Sequence, residues 1–264
     1  MSTVFDQALA VARADLARRQ ALVPLAQVKE RALAQASALD GVGALCGDGV
    51  AVIAEVDPLC PAKGELAGEY EQAGANVISV PISRHLSDPV LHDLRDVRGR
   101  VQVPVLCKDL VVSSYQLWEA RAHGADLALL MVAALGREAL VSLIERAESI
   151  GLTALVEVHD ERELSRAVAA GARIIAVNPR DPLTREADQA ALARLLPLIP
   201  AGIVRVAECG PAGRSDLIAC AKAGADAVLT GQTLLSTTNP RETVARLVAV
   251  GTHPALGRRR RQTT

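Results

Sequence analysis

Short apolar runs alternate with longer amphipathic segments along most of the chain. A strand buried on both faces of a parallel sheet has a continuous run of Val, Ile and Leu, and strands that alternate with helical segments are typical of parallel βαβ units. The pattern predicts eight strands, at residues 50–56, 76–80, 103–108, 126–132, 154–158, 173–177, 203–208 and 227–231.

A Gly-Ala pair precedes every second predicted strand. The pairs begin at Gly74, Gly124, Gly171 and Gly224, so their spacings of 50, 47 and 53 residues each span two βα units. Glycine just past a helix, with a strand close behind, is typical of an αβ loop. Eight such strands predict an α/β fold, a closed (β/α)8 TIM barrel. An open doubly wound sheet is the alternative, but the sequence lacks the glycine-rich dinucleotide loop that often follows its first strand.

Residues 1–40 precede the first predicted strand and have helical periodicity. Apolar residues recur every three to five positions, with a break near Pro24. We expect an N-terminal helical extension packed on the barrel, either closing its bottom or lying over its mouth. The barrel is assigned to residues 41–252 and a disordered basic tail to residues 253–264.

The composition indicates one soluble domain. Half of the residues are hydrophobic and the formal net charge is −1, which argues against a nucleic-acid or membrane surface. No apolar run approaches a membrane span, and early acidic residues argue against a signal peptide. We therefore expect a cytoplasmic monomer or homodimer. The five cysteines and five histidines show no metal-ligand spacing, so no metal or cofactor is predicted, and His159 is interpreted as a loop or capping residue.

Ionisable residues follow five of the apolar runs, where they have no packing role. They are Glu55, Lys108, Glu157, Arg180 and Glu208. The carboxyl ends of parallel strands meet at one mouth of a barrel, where barrel enzymes have their active sites. Lys108 and Glu157 are the strongest candidates for acid–base chemistry near neutral pH. The alternative is a structural salt bridge across the mouth.

Glycine-bearing loops follow the seventh and eighth predicted strands. Their candidate phosphate-binding residues are Cys209, Gly210, Gly231 and Gln232. Barrels of this class often hold a phosphate on backbone N–H groups at these two loops, and glycine lets the backbone approach an anion closely. We therefore expect a phosphorylated substrate. The alternative is that both loops are only tight turns.

Several motifs occur along the chain in the order found in one enzyme family. The matching segments are 52–56, 61–64, 104–109, 124–126, 155–159, 178 with 180–181, and 224–228. Over nearly its whole length the chain resembles the indole-3-glycerol-phosphate synthases of tryptophan biosynthesis. The resemblance implies a carbon–carbon lyase that closes the indole ring of 1-(2-carboxyphenylamino)-1-deoxyribulose 5-phosphate, with loss of carbon dioxide and water.

The resemblance also implies roles for single residues. Lys108 resembles the general acid that protonates the substrate carbonyl, and Glu157 resembles the acid–base residue of closure and dehydration. Glu55 matches a further residue of the catalytic group. The resemblance assigns contacts with the rest of the substrate to Asn178, Arg180 and Glu208.

The chain departs from the family around the substrate's aromatic acid. A family lysine that helps to hold the carboxylate is Asp57 here, and a phenylalanine that packs on the ring is Leu110. Neighbouring carboxylates repel unless one is protonated. The first interpretation is an authentic synthase in which Lys63 or Arg84 holds the carboxylate. The alternatives are a paralogue with the same Lys/Glu core acting on a related phosphorylated amino-ketose, and a non-catalytic barrel subunit.

Overall fold

The computed structural model describes residues 4–82, 91–184, 186–188, 190–208, 210 and 213–256. Eight parallel strands pair in sequence order, and the last pairs with the first, so the sheet closes into a barrel. The strands are β1 (Ala51–Glu55), β2 (Val77–Pro81), β3 (Val105–Lys108), β4 (Leu127–Met131), β5 (Thr153–Val158), β6 (Ile174–Val177), β7 (Val204–Glu208) and β8 (Ala227–Thr230). The predicted (β/α)8 barrel is confirmed.

Helices alternate with the strands and surround the barrel. They are α1 (Val4–Leu22), α2 (Leu25–Leu33), α3 (Gly41–Leu45), α4 (Lys63–Gln72), α5 (His92–Arg100), α6 (Ser114–Ala122), α7 (Arg137–Ser149), α8 (Glu161–Ala169), α9 (Ala191–Leu195), α10 (Arg214–Lys222), α11 (Gln232–Leu235) and α12 (Pro240–Gly251). Short 3₁₀ turns span Val132–Ala134, Leu196–Leu198 and Pro254–Leu256. None of the helices in the described ranges is long and apolar enough to cross a membrane.

Side chains on each strand alternate between two apolar layers. Residues such as Ile53, Leu106 and Leu155 fill the barrel interior, and their neighbours such as Val52 and Val156 pack under the surrounding helices. Successive side chains of a strand point to opposite faces. This alternation decides which residues at the strand ends can face the barrel mouth.

The Gly-Ala repeat joins neighbouring strands at their amino-terminal ends. Each of the four glycines adopts a positive φ, between 82° and 97°, where a Cβ is unfavourable. In three repeats, the residue after Gly-Ala forms two hydrogen bonds with one residue of the preceding strand. Its backbone N–H donates to the carbonyl of that strand residue, and its side chain accepts the N–H of the same strand residue. These pairs are Asn76 with Val52, Asp126 with Val105, and Asp226 with Arg205.

The N-terminal segment contacts the barrel in two places. Helices α1 and α2 pack on α6 through an apolar cluster that includes Leu16, Val28 and Trp118. Leu45 of α3 joins the interior layer, and the Leu39 N–H donates to Asp126, just ahead of β4. Helix α3 therefore closes the amino-terminal end of the barrel. Residues 257–264 of the expected tail, and also Arg84 and Cys209, lie outside the described residues.

Candidate active site

Five polar residues lie two positions beyond inward-facing apolar residues. The pairs are Ile53 and Glu55, Leu106 and Lys108, Leu155 and Glu157, Ala176 and Asn178, and Val206 and Glu208. Side chains two apart on a strand share a face. The register of the closed barrel therefore aims all five side chains at its carboxyl-terminal mouth.

Lys108 lies between two carboxylates at this mouth. Its Nζ is 2.9 Å from Glu55 Oε2 and 2.6 Å from Glu208 Oε1. Burial lowers the pKa of Lys108, but the negative charges of Glu208, Glu55 and Glu157 outweigh it and raise this pKa above its ordinary value. The ammonium is therefore protonated at neutral pH and is a short distance from two possible proton acceptors.

The environment of Glu208 disfavours the ionised form of its carboxyl group. Burial and the negative charge of Glu157 raise the pKa of Glu208, and Lys108 offsets this only in part, so that the pKa lies at about 7. The second carboxylate oxygen, Oε2, is buried and has no hydrogen-bond partner among the residues that the structure describes. Glu208 can therefore exchange a proton near neutral pH, as general acid–base catalysis requires.

Glu157 is almost completely buried, with 1% of its surface exposed. Its Oε1 accepts hydrogen bonds from His159 Nε2 at 3.0 Å and from Asn178 Nδ2 at 3.3 Å. Burial raises the pKa of Glu157, but the His159 hydrogen bond and the charge of Lys108 outweigh it and place the pKa below its ordinary value. Glu157 is therefore ionised at neutral pH and can act as a base.

The structure pairs these residues differently from the sequence interpretation. Lys108 forms its ion pairs with Glu55 and Glu208, whereas Glu157 forms its ion pair with His159. Sequence reasoning missed His159 as part of this group. The position of His159 in the sequence indicates its place in the site, because a residue two positions after Glu157 continues the same face of β5.

A cavity of about 820 Å³ opens at the mouth. This volume suits a small-molecule ligand. The cavity extends past the β6 loop towards α9 and α10, where Leu192 and Ala219 contribute to its wall. The residues expected from the sequence that line it are Glu55, Lys108, Asn178, Arg180, Glu208, Gly210, Gly231 and Gln232.

The two glycine-bearing loops meet at one side of this cavity. Gly210 has a positive φ of 53°, and its carbonyl accepts the hydroxyl of Thr233 in α11. The Gly210 N–H donates to Leu229 O at 3.3 Å. Gly231 precedes α11, whose first residue is Gln232, and the first N–H groups of a helix have no acceptor within that helix.

Four predicted residues are not among the described residues that line the cavity: Glu157, Asp57, Lys63 and Leu110. Asp57 Oδ1 accepts the Leu59 N–H at 2.8 Å. Lys63 is buried, with its Nζ 3.2 Å from Asp93 Oδ2. Leu110 donates its backbone N–H to Asp109. The structure therefore directs Lys63 between α4 and α5, and not toward the barrel mouth.

The family model described as indole-3-glycerol phosphate synthase matches residues 5–247. The chain belongs to this family. It is 55% identical to the indole-3-glycerol phosphate synthase of Streptomyces griseus subsp. griseus and 56% identical to indole-3-glycerol phosphate synthase 1 of Streptomyces coelicolor. Both alignments cover 96% of this chain and 98% of the relative.

The chain is also 51% identical, over 264 residues, to the indole-3-glycerol phosphate synthase of Beutenbergia cavernae. Among solved structures, thiamine phosphate pyrophosphorylase from Pyrococcus furiosus superposes with a TM-score of 0.63 and 16% sequence identity, over 77% of this chain and 96% of that one. At this identity the likeness concerns the barrel fold alone. The synthase family is thus established by sequence, and the site geometry can be interpreted within it.

Proposed function

We propose that the chain closes an indole ring, converting 1-(2-carboxyphenylamino)-1-deoxyribulose 5-phosphate to indole-3-glycerol phosphate. The observation that carries this proposal is the group formed by Lys108, Glu157 and Glu208. It combines a protonated amine, an ionised carboxylate and a carboxyl group with a pKa of about 7 at one barrel mouth. Curated relatives named for this reaction support it.

Lys108 acts as the general acid in the first step. The ring carbon that bears the carboxylate attacks the ketose carbonyl carbon, a carbon–carbon bond forms, and the carbonyl oxygen takes a proton from Lys108 Nζ. The bond to the carboxylate then breaks, carbon dioxide leaves, and its electron pair restores the aromatic ring. Because decarboxylation consumes one proton overall, Lys108 is reprotonated from solvent.

Glu157 and Glu208 serve the dehydration that follows. The new hydroxyl leaves as water after it receives a proton, and a neighbouring carbon loses a proton as the indole double bond forms. Glu157 is ionised and accepts that proton. Glu208, with its pKa of about 7, supplies the proton to the hydroxyl. The two carboxylates thereby divide the acid and base roles according to their environments.

The phosphate is assigned to the side of the cavity formed by Gly231 and Gln232. Helix α11 is only four residues long, so the assignment depends on its first backbone N–H groups, which have no acceptor within the helix and can bind an anion. Arg180 lines the same cavity and adds a cation that can reach the phosphate or the carboxylate. Cys209 and Gly210 complete the proposed phosphate loops.

A second candidate is a related phosphorylated amino-ketose without the aromatic carboxylate. The observation that favours it is the direction of Lys63, which pairs with Asp93, while residue 57 is an aspartate. Neither residue offers the carboxylate a cation. The acid–base group would be unchanged for this substrate.

The deciding experiment is incubation of the purified protein with the anthranilate-derived substrate. Indole fluorescence and a mass loss equal to carbon dioxide plus water report the reaction, and the Lys108→Ala protein is the control. Product in the wild type only would support the synthase. Absence of product, together with binding of a sugar-phosphate analogue, would overturn it in favour of the second candidate.

A further inference from the structure

His159 lies between two carboxylates at the end of β5. Its Nε2 is 3.0 Å from Glu157 Oε1, and its Nδ1 is 2.9 Å from Glu163 Oε2. Only 7% of the imidazole side chain is exposed. The backbone N–H of His159 also donates to Glu163 Oε2 at 2.9 Å, so Glu163 restrains both the backbone and the ring of this residue.

Glu163 is itself fixed by the start of α8. Its N–H donates to Oδ1 of Asp160, the N-cap residue, at 2.7 Å. A helix cap needs an acceptor for the early backbone N–H groups, and that requirement accounts for Asp160. It does not account for a buried ring directed at Glu157.

We propose that His159 is a positioning residue for the acid–base chemistry of Glu157. The imidazole, anchored by Glu163 to α8, holds the Glu157 carboxylate in one orientation and keeps it negatively charged. This inference rests on the proposed function, because it presumes that Glu157 exchanges a proton with substrate. His159 acts through Glu157 and has no assigned contact with substrate.

The charges around His159 favour its protonated form. Burial lowers the pKa of His159, but the hydrogen bonds and charges of Glu157 and Glu163 outweigh it and raise the pKa to about 10. The charges of Lys108 and Glu208, from β3 and β7, also interact with Glu157. The nearby cation of α8, Arg166, is directed at the carbonyl groups of Val132 and Leu135.

The contribution of Glu163 can be isolated by a matched pair of variants. Glu163→Gln keeps an acceptor for the His159 Nδ1–H but removes one negative charge. Glu161→Gln removes a charge from the same turn of α8, and Glu161 pairs instead with Arg194 at 3.8 Å. We expect the first change to lower the pKa of His159 by at least about one unit, and the second to leave it unchanged.

NMR of the imidazole nitrogens measures this titration directly, with His159→Gln used to assign the signal among the five histidines. In the wild type His159 should stay protonated to about pH 9. In Glu163→Gln, kcat should decline at a lower pH than in the wild type or in Glu161→Gln. A wild-type midpoint near that of a free histidine, or one that Glu163→Gln leaves unmoved, would overturn the inference.

A second pair of variants tests the bond to Glu157. His159→Leu removes the Nε2–H donor, whereas His159→Gln can place an amide N–H in nearly the same position. We expect His159→Leu to lower kcat at least about tenfold with little change in KM, and His159→Gln to recover most of that loss. Equal, wild-type kcat values and pH profiles in both would contradict a positioning role.

These measurements separate the inference from the proposed function. Should the wild type show no turnover of the anthranilate-derived substrate, the proposed function fails by itself. The NMR titrations do not require turnover, and they would still decide whether Glu163 sets the charge of His159. Thermal melting of each variant excludes general unfolding as the cause of a lost signal.

Discussion

The carboxylate of Glu55 lies directly against Gly231, so that a Cβ at residue 231 would come within 2.4 Å of Glu55 Oε1. Glu55 is in turn 2.9 Å from the Lys108 Nζ. A side chain at residue 231 would displace the carboxylate that pairs with the lysine. A Cβ at residue 231 would therefore disturb the packing of the acid–base group, in addition to any effect on a backbone contact with phosphate.

We expect Gly231→Ala to lower kcat/KM at least about tenfold, because it moves Glu55 away from Lys108. Gly68→Ala is the matched control, since a Cβ at this position in α4 meets nothing within 4 Å. That change should stabilise the protein by about 0.5–1 kcal/mol without affecting turnover. Steady-state kinetics and denaturant unfolding measure the two effects. Equal kcat/KM values in both variants would show that a side chain at residue 231 does not disturb the pairing of Glu55 with Lys108.

Removal of the lysine should affect both activity and the pH dependence of stability. Lys108→Ala leaves Glu55 and Glu208 without their shared cation, so the pKa of Glu208, which Lys108 holds down, should rise further in the folded state. A carboxyl group whose pKa is raised by folding loses its stabilising contribution as pH increases through that pKa. The variant should therefore be inactive, and it should lose more stability at about pH 8 than at about pH 5.

Urea unfolding at the two pH values, with Lys222→Ala on the surface of α10 as control, tests this expectation. The control should lose little stability at either pH. An equal loss for Lys108→Ala at both pH values would show that Glu208 does not depend on the lysine for its charge state.

Glu157→Gln should lower kcat by about 10²–10⁴-fold, the usual effect of removing a proton-transfer group. The amide keeps an oxygen that can accept the His159 and Asn178 hydrogen bonds, so the fold should be retained. Because folding lowers the pKa of Glu157, its charge stabilises the protein above the ordinary pKa of 4.5 and the contribution fades as pH falls. Stability differences between variant and wild type should therefore shrink on acidification.

Circular dichroism and unfolding curves across the acidic range follow that difference. Glu148→Gln, an exposed change on α7, serves as the control and should match the wild type in rate. Turnover by Glu157→Gln at the wild-type rate would remove Glu157 from the mechanism.

The pH–rate profile should show the titration of Glu208 near neutral pH. Its pKa of about 7 in the folded protein lies above that of an unfolded glutamate, so its contribution to stability is complete below about pH 4.5 and is lost as pH rises towards about 7. Glu208→Gln should remove this titration from kcat/KM and flatten the stability curve over the same interval. A neutral titration that persists in the variant would assign it to another group.

Asp57→Asn should show whether a negative charge at this position opposes the substrate. The amide oxygen can still accept the Leu59 N–H, so the local turn is retained while the charge is lost. If the substrate carboxylate binds nearby, KM should fall severalfold with kcat unchanged, and the effect should weaken with added salt. Asp48→Asn is an exposed control, and identical KM values in the two variants would place the substrate carboxylate elsewhere.

The strand positions were predictable from local sequence. Each observed strand lies within two residues of its predicted bounds, because a strand buried on both faces must be apolar throughout and because the Gly-Ala turns mark where every second strand begins. The side chains of the mouth were also predictable. Charged residues that end an apolar run, two positions after an inward-facing residue, can face only the cavity of a closed barrel.

The partners of these side chains were decided by the tertiary structure. Lys108 and Glu208 are 100 residues apart, and their contact depends on barrel closure and on the reach of each side chain. Lys63 was a candidate ligand by its motif, yet it pairs with Asp93 between two outer helices. His159 belongs to the site because the end of β5 and the first turn of α8 place two carboxylates around it. Sequence periodicity determines which face a residue occupies, whereas ion pairing depends on distances that only the folded chain sets.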